Sequence, residues 1–81
     1  MDIAGLTIEI ATIFKELRTK LGYSYEYVAK KLGVSPEEIE LSESGEDFRF
    51  LLFWGLADVY KIKQDEIFKI AERRINKKAG K

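Results

Sequence analysis

The feature that most constrains the fold is a helix stop followed at once by a helix start, between Gly33 and Glu38. Glycine readily takes the positive φ with which many helices end, so Gly33 predicts the end of one helix. Ser35 predicts an N-cap, Pro36 suits the first helical position, and Glu38 completes a capping box. Two helices must therefore meet across a very short turn.

The residues around this turn predict a helix-turn-helix. Ser24 predicts the start of the first helix and Gly45 the end of the second. A small side chain at the crossing lets the two backbones approach, and two branched apolar side chains fill the wedge between the helices. The predicted scaffold consists of Ala29, Gly33, Val34 and Ile39. A generic helical hairpin is the alternative, and it does not account for these four residues at their spacings.

Three further helices are predicted by the spacing of apolar residues and by helix signals, over residues 7–20, 48–60 and 64–78. No segment predicts a strand. With 81 residues, the chain is expected to form a single all-α domain over residues 1–81, with a core from about residue 7 to 78 and frayed termini.

The chain contains neither cysteine nor histidine. Their absence excludes disulfides, thiolate or imidazole metal sites, and Ser-His or Cys-His catalysis. We therefore expect no metal, no cofactor and no enzymatic activity. No apolar run approaches the ~20 residues that span a bilayer, and the start lacks the basic residues of a signal peptide. These observations predict a cytoplasmic protein without a membrane segment.

Charge is segregated along the chain, although 14 basic and 14 acidic residues give a net charge of zero. Residues 24–47 contain two basic and seven acidic residues, a net charge of −5, whereas residues 61–81 contain eight basic and three acidic residues, a net charge of +5. The predicted helix-turn-helix is therefore at the negative end of the sequence.

The segment from Glu16 to Gly45 resembles the Xre/Cro family of lambda-repressor-like helix-turn-helix regulators. The residues that carry the resemblance are Glu16-Leu17-Arg18, Gly22, Ser24, Ala29 to Pro36, Ile39, Glu43 and Gly45. It implies a five-helix lambda-repressor-like fold and a role in transcription regulation. It also implies a structural ion pair between Arg18, in the first helix, and Glu43, near the end of the third.

The residues at the family's DNA-reading positions are acidic or apolar here. Tyr25 stands where the family usually has Gln, and the predicted surface of the recognition helix consists of Glu37, Glu38, Glu40, Leu41 and Ser44. Leu41 is expected to point outward and Ser42 inward, unless this helix is rotated so that Leu41 is buried. Major-groove readers use Arg, Lys, Asn or Gln, and carboxylates are repelled by phosphates.

These residues favour a transcription-regulatory protein that acts mainly through protein–protein contacts. The alternative is a sequence-specific DNA-binding repressor, whose phosphate contacts would come from Lys30, Lys31, Arg49, Arg73, Arg74, Lys77 and Lys78. The C-terminal members of this set are also explained as a solubilising helix end, since cations are favoured there.

The fourth predicted helix is apolar almost all round, which is typical of a central helix or an interface. Its core side is predicted to be Leu52, Phe53, Leu56 and Val59. A partner or dimer face is then predicted at Phe48, Leu51, Trp54 and Gly55. The alternative is a crowded aromatic core with no partner.

Overall fold

The structure is a computed structural model that describes residues 3–45 and 50–80, and the side chains of residues 5–45 and 52–78. Its helices are α1 (Ile3–Leu21), α2 (Tyr25–Leu32), α3 (Pro36–Ser44), α4 (Phe50–Val59) and α5 (Gln64–Gly80). No strand occurs in these two ranges. The predicted all-α fold with five helices is confirmed.

The caps of α2 and α3 are those that the sequence predicts. The hydroxyl of Ser24 accepts a hydrogen bond from the backbone N–H of Tyr27, with 3.0 Å between the atoms. At α3, the backbone N–H of Glu38 donates to Ser35 Oγ at 3.3 Å, and Ser35 N–H donates to Glu38 Oε2 at 3.0 Å. Gly33 ends α2 with a φ of 72°. The short turn is therefore fixed from both sides.

The first helix is longer than predicted, since α1 begins at Ile3 rather than at residue 7. Gly5 lies inside it, and a glycine in a helix interior costs only about 1 kcal/mol. Leu6 packs against the core from this first part of α1. Tertiary packing therefore outweighs the local preference that placed the start later.

The helices share a hydrophobic core, in which α1 packs against α3 and α5, and α2 packs against α3 and α4. Phe14 lies near its centre, with its ring centroid 5.7 Å from that of Phe53 and 6.0 Å from that of Tyr60. The predicted core residues of α4 are buried except Val59, which is half-buried. The fully or nearly fully buried hydrophobic residues are Ile10, Ala11, Ile13, Phe14, Val28, Ala29, Ile39, Leu52, Phe53, Leu56, Ala57, Tyr60, Ile67 and Ala71.

The helix-turn-helix scaffold lies in this core. Ala29 and Ile39 are buried, and Val34 is half-buried against the same cluster. Within residues 3–45 and 50–80, no helix is long and apolar enough to cross a membrane. A single domain over residues 1–81 stays a prediction.

Candidate interaction surface on the helix-turn-helix

One side of α3 is exposed and acidic. Ile39 faces the core, which leaves Glu37, Glu40, Leu41 and Ser44 exposed at the three- and four-residue spacing of a single helix face. We call these four residues the α3 face. No Lys, Arg, Asn or Gln occurs in α3. The helix that occupies the recognition position therefore presents carboxylates and a leucine, and no donor of the kind that reads bases.

Leu41 and Ser42 lie as the unrotated helix predicts. Leu41 is 42% exposed, and Ser42 is half-buried, where its hydroxyl donates a hydrogen bond to the carbonyl oxygen of Ile39 at 2.6 Å. The alternative in which a rotated helix buries Leu41 is therefore wrong. An exposed leucine beside carboxylates is suited to a protein surface rather than to a phosphate backbone.

Glu43 is not part of the α3 face, because it is tied to α1. Arg18 Nε donates to Glu43 Oε2 at 2.6 Å and Nη2 donates to Oε1 at 3.2 Å, while Nη1 donates to the carbonyl oxygen of Tyr23 at 2.9 Å. The two charged side chains are 14% and 3% exposed. The hydrogen bond to Glu43 raises the pKa of the Arg18 guanidinium. This geometry is that of a forked, largely buried ion pair.

Two tyrosines surround this ion pair. The guanidinium carbon of Arg18 lies 4.2 Å from the ring centroid of Tyr25, a cation–π distance. Burial, and then the neighbouring carboxylate of Glu43, raise the pKa of Tyr25. The hydroxyl of Tyr60 is buried without a hydrogen-bond partner, and burial raises the pKa of Tyr60 strongly. Tyr25, at the position where the resemblance leads one to expect Gln, is therefore half-buried over Arg18.

The exposed side of α2 carries the opposite charge. Tyr27, Lys30 and Lys31 are all exposed, and Lys31 Nζ lies 5.5 Å from the ring centroid of Tyr27. The ring of Tyr27 also lies 4.6 Å from that of Tyr23. A surface depression of about 480 Å³ is lined by Tyr27, Lys30 and Lys31. We call these three residues the α2 stripe.

The basic strip predicted on α5 is reduced in the structure. Arg74 Nη2 lies 2.7 Å from Glu16 Oε1, and Lys78 donates to Glu9, whose side chain is 8% exposed. Both cations therefore neutralise carboxylates of α1, a role that their local sequence does not signal because 58 and 69 residues separate the partners. Arg73 and Lys77 remain exposed on α5. Arg49 lies outside the described residues.

The partner face predicted on α4 is only partly described. Phe48 and the side chain of Leu51 lie outside the described residues, and Trp54 is 50% exposed. Gly55 does not lie on an outer face, because a Cβ added there would be 2.7 Å from Leu32 Cδ2. The prediction for Gly55 is therefore wrong, since the close approach that it allows is between α4 and α2 of the same chain.

Comparison with known protein families gives a match to a family described as helix-turn-helix, over residues 14–67. The match covers 54 of the 81 residues, from the middle of α1 to the first turn of α5. No curated protein and no solved structure matches the chain. Within the described ranges, no group of three or more acidic, cysteine or histidine side chains is placed to hold a metal ion.

Proposed function

Because the chain belongs to the Cro/C1-type, Xre-like helix-turn-helix family of DNA-binding regulators, we propose that this small transcription regulator acts mainly through protein–protein contacts of its α3 face. Members of the family are typically non-enzymatic, and a cytoplasmic site of action without catalysis belongs to the proposal. The observation that carries it is the pairing of two exposed carboxylates, Glu37 and Glu40, with the exposed Leu41.

The carboxylates of the α3 face oppose DNA binding in the orientation that the fold would use. A carboxylate ~6 Å from a phosphate, at an effective dielectric constant near 40, is repelled by about 1.4 kcal/mol before screening. Specific complexes gain only about 4–10 kcal/mol over non-specific ones. Several such repulsions without a compensating Arg in α3 would remove much of that difference.

The acidity of α3 also has a structural part, which differs among its residues. Glu37 and Glu38 lie in the first turn, where the helix dipole favours anions, and Glu38 closes the capping box. Glu40 lies beyond that turn, on the exposed side. The protein-contact proposal therefore depends most on Glu40 and on its neighbour Leu41.

A second candidate function is direct DNA binding as a repressor. The observations that favour it are the exposed cations Lys30, Lys31, Arg73 and Lys77. In that case phosphate contacts would supply the affinity, and a glutamate of α3 would have to accept a hydrogen bond from cytosine.

A DNA titration across a salt series separates the two candidates. Labelled duplexes, including the promoter region of the protein's own gene, are followed by fluorescence anisotropy with the full chain. We expect no tight, sequence-selective binding at physiological salt. Sequence-selective binding that weakens steeply with salt, as phosphate-dominated complexes do, would overturn the protein-contact proposal.

Matched variants assign the result to α3. The E37Q/E40Q variant removes two charges from the α3 face, and E66Q/E72Q removes two exposed charges from α5 as the control. We expect E37Q/E40Q to increase non-specific DNA binding at low salt more than the control does. A specific loss of DNA binding in E37Q/E40Q alone would instead show that these glutamates read bases.

A further inference from the structure

We propose that the α3 face of one copy docks on the α2 stripe of a second copy, so that this chain is itself a protein partner of α3. The inference rests on the proposed function, because it names the chemistry that the α3 face contacts. It identifies a self-association surface within the helix-turn-helix, distinct from the one that the sequence predicted on α4.

The two surfaces have matching composition and opposite charge. The α2 stripe contains one large ring and two cations, and the α3 face contains one large aliphatic side chain and two carboxylates. Leu41 and Tyr27 are each 42% exposed. Complementary charge around an apolar contact is the arrangement that selects and orients a protein partner.

The order of the residues favours an antiparallel arrangement of the two helices. Along α2 the ring comes first and the cations follow three and four residues later, whereas along α3 the carboxylates come first and the leucine follows. Each set spans four residues, which corresponds to about 6 Å of helix. Docked antiparallel, Leu41 meets Tyr27, and Glu37 and Glu40 meet the two lysines.

The α2 stripe offers a receiving shape as well as charge. Its depression of about 480 Å³ lies between the ring of Tyr27 and the side chains of Lys30 and Lys31. An apolar side chain such as that of Leu41 can enter this space while its neighbouring carboxylates contact the lysines. Exposed ion pairs contribute little individually, so the association is expected to be weak and sensitive to salt.

The exposed cations of α5 fit the α3 face less well. Glu72 lies next to Arg73, and Asp65 and Glu66 open the same helix, so positive and negative charges alternate there. Two cations of this helix are also bound to carboxylates of α1. Because the α3 face and the α2 stripe are different patches, the contact is head-to-tail and can continue from copy to copy.

A charge-swap experiment with the full chain tests the proposal. Association is measured by sedimentation velocity over a protein dilution series, at ~0.05 M and ~0.5 M NaCl. We expect the wild type to associate at the lower salt and to be monomeric at the higher. The variants K30E/K31E and E37K/E40K are each expected to be monomeric, whereas their equimolar mixture and the fourfold variant are expected to associate.

The control is R73E/K77E, which reverses two exposed cations of α5 and is expected to associate like the wild type. Circular dichroism checks that each variant is folded, and K30Q/K31Q and E37Q/E40Q replace any reversal that is not. A wild type that is monomeric at all concentrations, a mixture that fails to associate, or a control that loses association would overturn the proposal.

The outcome is independent of the DNA titration. A monomeric wild type that also fails to bind DNA selectively would refute the self-docking contact and leave the protein-contact function in place. Tight, selective DNA binding would refute that function whatever the state of association.

Discussion

Replacing Arg18 with methionine is expected to destabilise the protein by about 3–5 kcal/mol, because it leaves a buried carboxylate without its partner. Glu43 is only 3% exposed and receives both of its described side-chain hydrogen bonds from Arg18. The carbonyl oxygen of Tyr23 loses a donor as well. Methionine keeps much of the aliphatic stem, so the change removes charge and hydrogen bonds rather than volume.

This loss is large relative to the whole fold. A domain of 81 residues has a free energy of unfolding of about 4–12 kcal/mol. In a domain of this size each kcal/mol shifts the melting temperature by about 4–8 °C, so we expect R18M to melt at least ~12 °C below the wild type. Urea unfolding followed by circular dichroism at the helix band gives the free energy directly.

The ion pair between Arg74 and Glu16 provides the matched control. It is also forked, but its side chains are 35% and 54% exposed, so R74M is expected to cost at most about 1 kcal/mol. The double variant R18M/E43L removes both buried charges and should recover most of the loss. If R18M costs no more than R74M, the reasoning that burial makes this pair important is refuted.

Three further predictions concern single positions. Y60F removes a buried, unpartnered hydroxyl, so its stability at neutral pH is expected to be within about 1 kcal/mol of the wild type. Burial raises the pKa of Tyr60 in the folded state, so its contribution is complete below pH ~10 and is lost above it; the stability of the wild type should fall more steeply than that of Y60F in urea titrations at alkaline pH. G33A is expected to cost about 1–2 kcal/mol because φ is 72° there and no neighbour crowds the added methyl, and a G33N variant that is no more stable than G33A in urea would contradict this. S35A removes the N-cap of α3 and should cost about 1 kcal/mol in the same assay, whereas an unchanged midpoint would contradict the role of the cap.

Sequence reasoning succeeds here where the signal is local. Gly33, Ser35 and Glu38 determine the turn through backbone geometry and caps that depend on a few neighbouring residues, and the structure has those caps. The pair of Arg18 and Glu43 joins residues 25 apart, and it was expected from a family resemblance rather than from spacing.

Sequence reasoning fails where the deciding partner is distant in the chain. Gly55 suggests an outer face for close packing, but Leu32 from α2 occupies that space. Arg74 and Lys78 belong to a basic helix end, and nothing near them indicates that carboxylates of α1 will bind them. The orphan hydroxyl of Tyr60 likewise depends on the packing of all its neighbours.

The contact between α1 and α5 has a consequence for the order in which the protein can form during its synthesis. The first helix to leave the ribosome packs against the last, and the ion pairs of Glu9 and Glu16 join residues 69 and 58 positions apart. Until α5 emerges, α1 therefore lacks these partners and exposes part of its apolar side. Nascent chains arrested before residue 64 should remain sensitive to protease, and protection should appear only once α5 has cleared the exit tunnel.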